Sequence, residues 1–209
     1  MMRSSFLVSC VVALASSVAF AQAAPKVEDK KAVKFNEIER GFFFEGRGGF
    51  YGIINPPVLA GGRSEFSAGQ AVGVDIGFDI GDRVSPSIFF LASSNRAQSF
   101  YTGQSTTGAA SGDFSAMMPG AAVKIRLVGF DDSQEVKRTW IYVRAGAGVV
   151  LFSPQSLLPN IDVLVTAGPG IEYHTRLRHF TIGLEANFNF LALTQTIGFS
   201  VFPTVKYAF

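Results

Sequence analysis

The stretch Thr181-Ile182-Gly183-Leu184-Glu185-Ala186-Asn187-Phe188-Asn189-Phe190 alternates between two chemistries, residue by residue. Ile182, Leu184, Ala186, Phe188 and Phe190 share one face; Thr181, Gly183, Glu185, Asn187 and Asn189 share the other. Successive side chains of a strand point to opposite faces, so a period of two predicts a β-strand with one apolar and one polar side. Residues 68–80 repeat the pattern, with Val72, Val74, Ile76, Phe78 and Ile80 set against Ala71, Gly73, Asp75, Gly77 and Asp79. Working outward, six further segments can be drawn at 42–54, 84–93, 114–128, 139–152, 161–174 and 197–209. The segment 84–93 is the least regular, because Ile88, Phe89, Phe90 and Leu91 run together and hide its facing.

Alternation alone fits a soluble β-sandwich as well as a barrel in a membrane. Three features favour the barrel. The polar face is unusually small, with glycines at 46, 48, 73, 77, 146, 148, 168, 170 and 183, which suits a crowded interior better than a solvated surface. The other face is rich in Phe, and Trp140, Tyr142, Tyr173 and Tyr207 lie near strand ends, as interfacial girdles require. The segments are also longer than the globular mode of about 5–6 residues and suffice for a tilted span. The predicted fold is therefore all-β, an antiparallel up-and-down transmembrane barrel of eight strands over residues 41–209, with a lumen filled by side chains.

Composition agrees with this reading. The chain has 209 residues, 48% hydrophobic and 16% charged, with 22 Gly and 21 Phe. Past the N-terminus no run of about 18 apolar residues offers a spanning helix, so the apolar residues are dispersed over strands. A net charge of +2 gives no footprint for nucleic acid.

The first 23 residues read as a secretion signal: Arg3 gives the positive start, 6–20 the apolar core, and Ala21 and Ala23 the small residues at the cleavage site. Cys10 is the only cysteine, too close to the start to follow a lipoprotein signal, so the mature chain forms no disulfide. Residues 24–40 crowd Lys26, Glu28, Asp29, Lys30, Lys31, Lys34, Glu37, Glu39 and Arg40 together, which predicts a solvated periplasmic tail.

Turn signals separate the strands. Residues 81–83 and 175–178 are tight; 55–65, 94–112 and 153–160 are long and polar or rich in Gly and Pro. Long connections at one end and tight ones at the other are the asymmetry of outer-membrane barrels, which places the tight turns in the periplasm. The connection from Gly129 to Arg138 breaks the rule by being long and charged. Pro119, Pro169 and Pro203 fall inside strands, where a missing donor predicts bulges.

Parity sends Glu45, Arg47, Asp75, Asp79, Lys124, Arg126, Arg144, Asp162, Glu172, Glu185 and Lys206 inward. An eight-stranded barrel is just wide enough inside for side chains, and an unpaired charge there costs several kcal/mol, so these residues predict a salt-bridged plug instead of a pore. No cofactor or metal is expected. His174 and His179 flank a predicted periplasmic turn and read as ordinary surface residues, and no serine lies in a nucleophile motif, so the reading is non-enzymatic. Gly46-Arg47-Gly48-Gly49 and Gly146-Ala147-Gly148 open no helix and read as packed glycines, not phosphate loops.

Val205, Tyr207 and Phe209, apolar at every second position and ending on an aromatic, resemble the terminal signal read by the barrel-assembly machinery of Gram-negative bacteria. Residues 42–209 resemble the small OmpA/OmpX-like barrels, a likeness of architecture that implies no activity. Residues 35–41, Phe42-Phe43-Phe44-Glu45-Gly46-Arg47-Gly48-Gly49 and Asn55-Pro56-Pro57 are similar to the start of CglE-like barrels of the myxobacterial adventurous-gliding apparatus. That likeness implies a non-enzymatic envelope component that helps couple a gliding motility machinery to the cell surface.

Two functional classes follow. In one, the barrel is an envelope scaffold or surface-interaction protein, held by outer-membrane lipid, with a periplasmic protein partner on its tail and the Gly129 to Arg138 turn, and outer contacts through 94–112. In the other it is a narrow channel or a lipid-handling barrel.

Overall fold

The computed structural model describes residues 38–54, 67–96, 113–153, 158 and 161–209. The signal, with Ala21 and Ala23, most of the tail and most of the long connections lie outside the described residues.

Eight antiparallel strands follow one another around a closed barrel: β1 (Phe42–Ile53), β2 (Ser67–Phe78), β3 (Val84–Arg96), β4 (Phe114–Asp131), β5 (Lys137–Ser153), β6 (Ile161–His174), β7 (Phe180–Leu191) and β8 (Thr196–Ala208). Each strand pairs with its sequence neighbours, and β8 returns to β1, so no edge is left unpaired. Along most of each strand buried and exposed positions alternate, and the exposed set is large and apolar: Val72, Ile88, Phe78, Ile182, Phe188 and Val205 are each at least half exposed. A soluble sandwich would hide such residues between two sheets; here both sequence faces find a use because the polar one is enclosed.

Boundaries shift in three places. β2 ends at Phe78, and Ile80 makes only an isolated bridge to Val84. β3 continues to Arg96 into the expected long connection, and closure settles its facing: Phe89 and Leu91 turn in, Ile88 and Phe90 out. β4 and β5 both extend into the stretch expected as a long charged turn, leaving residues 132–136 between them.

The three prolines do not make bulges. Pro119, Pro169 and Pro203 each face outward, and the β4–β5, β6–β7 and β8–β1 ladders each skip two pairs beside them with no change of register. A missing donor is absorbed as a short gap on one side of the strand. The register shifts lie elsewhere, between Arg126 and Val128 and between Phe130 and Asp131; the first turns two consecutive apolar residues outward, Leu127 and Val128.

Among the described residues two turns hold a non-glycine residue in the left-handed region, Glu135 at φ 62° and Gln195 at φ 54°, a conformation that costs roughly 1–2 kcal/mol in an L residue. The Glu135 turn is braced by Asp132, whose backbone N–H donates to Val136 O at 2.9 Å and whose carboxylate accepts from the N–H of Gln134 at 2.7 Å and of Val136 at 3.3 Å. These bonds, with that from the Gln134 amide foremost, hold the Asp132 carboxyl below its ordinary pKa. A depressed folded-state pKa contributes stability above the unfolded value of about 4, and loses it as pH falls through the folded one. The amide resonances of Gln134 and Val136 are therefore expected to shift together as pH is lowered below about 4, and to be displaced already at pH 7 in Asp132→Ala. A pH-independent pair of resonances would remove Asp132 as the brace.

Candidate functional site

β1, β2 and β4 to β8, with Asp79 just past the end of β2, deliver the predicted inward charges, and the enclosed surface divides into two halves along the barrel. In the half nearer the start of β1 and the end of β8, five cations meet five carboxylates: Arg47, Lys124, Arg126, Arg144 and Lys206 with Glu45, Asp75, Asp79, Glu172 and Glu185. Lys124 Nζ lies 2.9 Å from Glu45 Oε2 and 3.4 Å from Glu172 Oε2, joining an inner group to a central one. In the inner group Lys206 Nζ is 2.6 Å from Asp79 Oδ2, Arg126 Nη2 is 3.3 Å from Asp79 Oδ1, and Arg126 also pairs with Glu172. In the central group Arg47 pairs with Asp75 and sits 3.1 Å from Glu185 Oε1, while Arg144 Nη2 is 2.9 Å from Asp75 Oδ2. Equal numbers of opposite charges leave these pairs with no net charge that would favour ions of one sign.

Cations also lie over rings, Lys206 at 4.1 Å from the Phe43 centroid and Lys124 at 4.5 Å from that of Tyr142. Ten inward charges need this dense pairing, because each would otherwise carry the full cost of leaving water. Tight packing needs small neighbours: a Cβ on Gly170 would fall 2.2 Å from Tyr142 Cζ.

Asp162 stands apart from these pairs. Fully buried at the opposite end, it accepts from the N–H of Leu193 at 2.8 Å, the N–H of Thr194 at 3.1 Å and the Thr194 hydroxyl at 2.6 Å. It therefore holds the short β7–β8 turn. The lumen at that end is apolar, packed with Tyr51, Ile53, Phe114, Phe152, Leu164 and Leu191, and Leu158 of the β5–β6 connection, 1% exposed, inserts among them as a cork. Where cork and ion pairs meet, between Arg47, Arg144, Leu164 and Phe202, the cavity is about 10 Å³, room for a single water.

Other residues differ from their sequence reading. Trp140 and Tyr142 belong to no girdle: both are buried in the lumen, as their even spacing from Arg144 requires. Tyr142 donates its hydroxyl to Glu185 Oε2 at 3.1 Å. His174 is buried, not a surface residue, with Nδ1 2.8 Å from Thr181 Oγ1. The aromatic belt at the terminal end is built around the last strand instead: Tyr207 packs on Phe180, Phe209 and His179 with centroids 5.0–5.3 Å apart, and Phe209 on Phe42 at 5.6 Å. Of the expected assembly signal, Val205 and Phe209 face outward at 53% and 62% exposure, and Tyr207 is half-buried. His179 donates Nδ1–H to Ala208 O at 2.7 Å and its carbonyl accepts from the Ala208 N–H at 2.9 Å, pinning the C-terminus.

The mouth where β1 begins and β8 ends is laced in part by Glu39 and Arg40, which the sequence placed in a solvated tail and which instead bind the barrel. Glu39 N–H donates to Arg178 O at 3.1 Å and Glu39 Oε2 lies 2.6 Å from Arg178 Nε, while Arg40 pairs with Asp82. Arg138, buried and assigned in sequence to a turn, donates Nη1–H to Thr175 O at 3.0 Å and Nε–H to Asp132 Oδ2 at 2.9 Å. Parity from Arg144 points Arg138 inward, but the turn residues around it hid that signal. Nothing in the residues around Leu158 marks it as a cork.

Known proteins place this geometry. No family model and no curated protein matches the chain. Among solved structures it is similar to Neisserial surface protein A, at 11% identity over 83% of this chain and 100% of that one, with a TM-score of 0.58. It is similar also to the outer membrane protein OprG from Pseudomonas aeruginosa, at 12% identity over 83% of this chain and 99% of that one, with a TM-score of 0.51. The chain is thus an eight-stranded barrel of the outer-membrane type.

Proposed function

We propose that the protein is a non-enzymatic component of the outer membrane of a Gram-negative bacterium, acting as an envelope scaffold or surface-interaction barrel. The observation that carries this reading is the lumen: balanced ion pairs fill one half and an apolar cork the other, with about 10 Å³ between them. Transport would need an aqueous path through the lumen, and this filling closes it; what the barrel offers for contact is its two rims. The outer band holds it in lipid, and the barrel-assembly machinery would insert it. The rim carrying the termini faces the periplasm in this reading, and the tail with the β4–β5 turn takes a protein partner there. The likeness of the first strand to gliding-apparatus barrels supplies a context for that partner, a motility machinery crossing the envelope.

Two measurements test this. Purified protein in a planar bilayer is expected to give no steady unit currents; regular current steps would sink the plug and favour a narrow channel. Cross-linking in cells through a probe placed in residues 24–34 is expected to trap a periplasmic protein, and deleting those residues to lose it while the barrel remains in the membrane. Absence of any adduct, with the barrel present at full level, would overturn the scaffold reading.

A further inference from the structure

Directly paired residues of neighbouring strands share a face, so outward side chains can be followed in rows around the barrel. One such row runs Val72, Ala92, Met117, Leu151 from β2 to β5, and all four are apolar. The next outward row, toward the end opposite Phe42 and Ala208, runs Gln70, Ser94, Ser115, Ser153. Every member of it is polar and exposed. On the flanking strands that end of the wall stays apolar, with Ile161 opening β6 at 54% exposure and Ile54 just past β1 at 50%. The polar row therefore belongs to one wall and is not a general rim of the barrel.

A groove of about 590 Å³ lies at its β2–β3 end, lined by Phe50, Gln70, Ser94, Arg96 and Asp113 among others. Phe50 pairs with Gln70 across the β1–β2 ladder, and its half-buried ring is held 5.3 Å from that of Phe199. Hydroxyls and a side-chain amide both donate and accept, which suits a ligand carrying many hydroxyl groups. The Phe50 ring adds an apolar wall for the C–H face of a sugar. Arg96 and Asp113 bring one charge of each sign, so the groove has no excess charge that would favour an anion.

We infer that this wall binds a lipid of the outer leaflet through a sugar headgroup. The sugar would lie on Gln70, Ser94 and Ser115 beside Phe50, and a chain would run along Val72, Ala92 and Met117. A free sugar would leave the apolar row unused, and a headgroup without hydroxyls would leave the polar row unmatched. The inference adopts the orientation given under Proposed function, with the start of β1 and the end of β8 at the periplasmic rim. It does not need the periplasmic partner, so loss of the cross-link leaves it standing, and its own failure leaves the scaffold reading standing.

Dodecyl maltoside, a sugar on a single chain, serves as the probe. Titrated into full-length protein held in dodecylphosphocholine micelles, it is expected to shift the backbone amide resonances of Gln70, Ser94 and Ser115 saturably. Nuclear Overhauser contacts should join its ring protons to the Phe50 ring. Maltose at the same concentration should shift none of them. Ser94→Ala should raise the half-saturating amount about fivefold, the worth of one hydrogen bond, and the triple variant Gln70→Leu, Ser94→Ala, Ser115→Ala should abolish saturation. Exposed substitutions of this kind should keep the heat-shifted gel mobility of a closed barrel, and Ser94→Ala alone decides the matter if the triple variant does not. No saturable shift, or saturation unchanged in Ser94→Ala, overturns the site. Equal shifts with maltose would make it a site for soluble sugar and overturn the lipid.

Discussion

Replacing Glu185 by alanine is expected to lower the stability of the barrel by about 3–5 kcal/mol, the largest loss any single lumenal carboxylate should produce. Glu185 is fully buried and answers four groups: Arg47 Nη1 at 3.1 Å, Arg144 Nη1 at 3.7 Å, the Tyr142 hydroxyl at 3.1 Å and Asn187 Nδ2 at 2.6 Å. Truncation keeps both guanidinium groups in the lumen and leaves Asp75 as their nearest remaining counter-charge, 2.9 Å from Arg144 and paired with Arg47. Arg47 keeps Glu45 Oε1 at 3.5 Å, but Glu45 also serves Lys124, so five lumenal cations are left with four carboxylates in a site poor in water and cannot all be compensated. Urea unfolding in lipid vesicles, followed by the emission of Trp140, measures the loss. Glu185→Gln keeps the volume and the hydrogen bond from Tyr142 but not the charge, so it should cost less than alanine and still more than 1 kcal/mol, roughly the worth of a charged over a neutral hydrogen bond. A loss below about 1 kcal/mol for alanine would mean that water enters the lumen and screens the pair, and the plug would then be looser than its geometry says.

The sequence carried the barrel and much of its filling because a closed sheet obeys one parity rule along each strand. Once Glu185 is set inward, Asn187, Asn189 and Thr181 follow, and so do the charges on the other strands. Parity failed where the run itself was ambiguous, as at Ile88 to Leu91, and where a bulge changed it, as at Leu127 and Val128. It was also available and unused: Trp140 and Tyr142 share the parity of Arg144, and composition drew them to the girdle against it. Which charge pairs with which was not legible, since Lys124 meets Glu45 and Glu172 across the barrel and not along any ladder. Nor was the second half of the lumen, because a polar-face pattern does not announce that Tyr51, Ile53, Phe114 and Phe152 converge with Leu158 at one end. Asp162 shows the same limit: its inward parity is right, but its partners are backbone amides of a turn, which no side-chain pattern encodes.

Gly49→Ala is expected to disrupt closure of the barrel, while Gly46→Ala, three residues earlier on the same strand, is expected to leave it intact. Both lie on β1 where it meets β8, the seam that joins the two ends of the sheet. A Cβ on Gly46 finds nothing nearer than Val205 O at 4.0 Å, whereas one on Gly49 falls 2.2 Å from Val201 O and 3.2 Å from Phe202 Cα. Backbone atoms cannot rotate away as a side chain can, so the seam must open to admit the methyl group. The ladder is already thin there, since β1 and β8 skip two pairs beside Pro203, between Arg47–Thr204 and Phe50–Val201. Alanine in place of a strand glycine would by itself add about 0.4–1 kcal/mol by restricting the unfolded chain, so the two effects oppose one another. At Gly46 the entropy gain stands alone and the change should be neutral or slightly stabilising. At Gly49 overpacking of about 1–3 kcal/mol or more wins, and it acts on the last pairing that a closed barrel must make. Gel mobility before and after heating separates the two, because only a closed barrel resists detergent until heated. Gly46→Ala should keep the full shift and Gly49→Ala should lose most of it; equal shifts would show that the seam has room for a side chain and that closure does not depend on the contact between Gly49 and Val201.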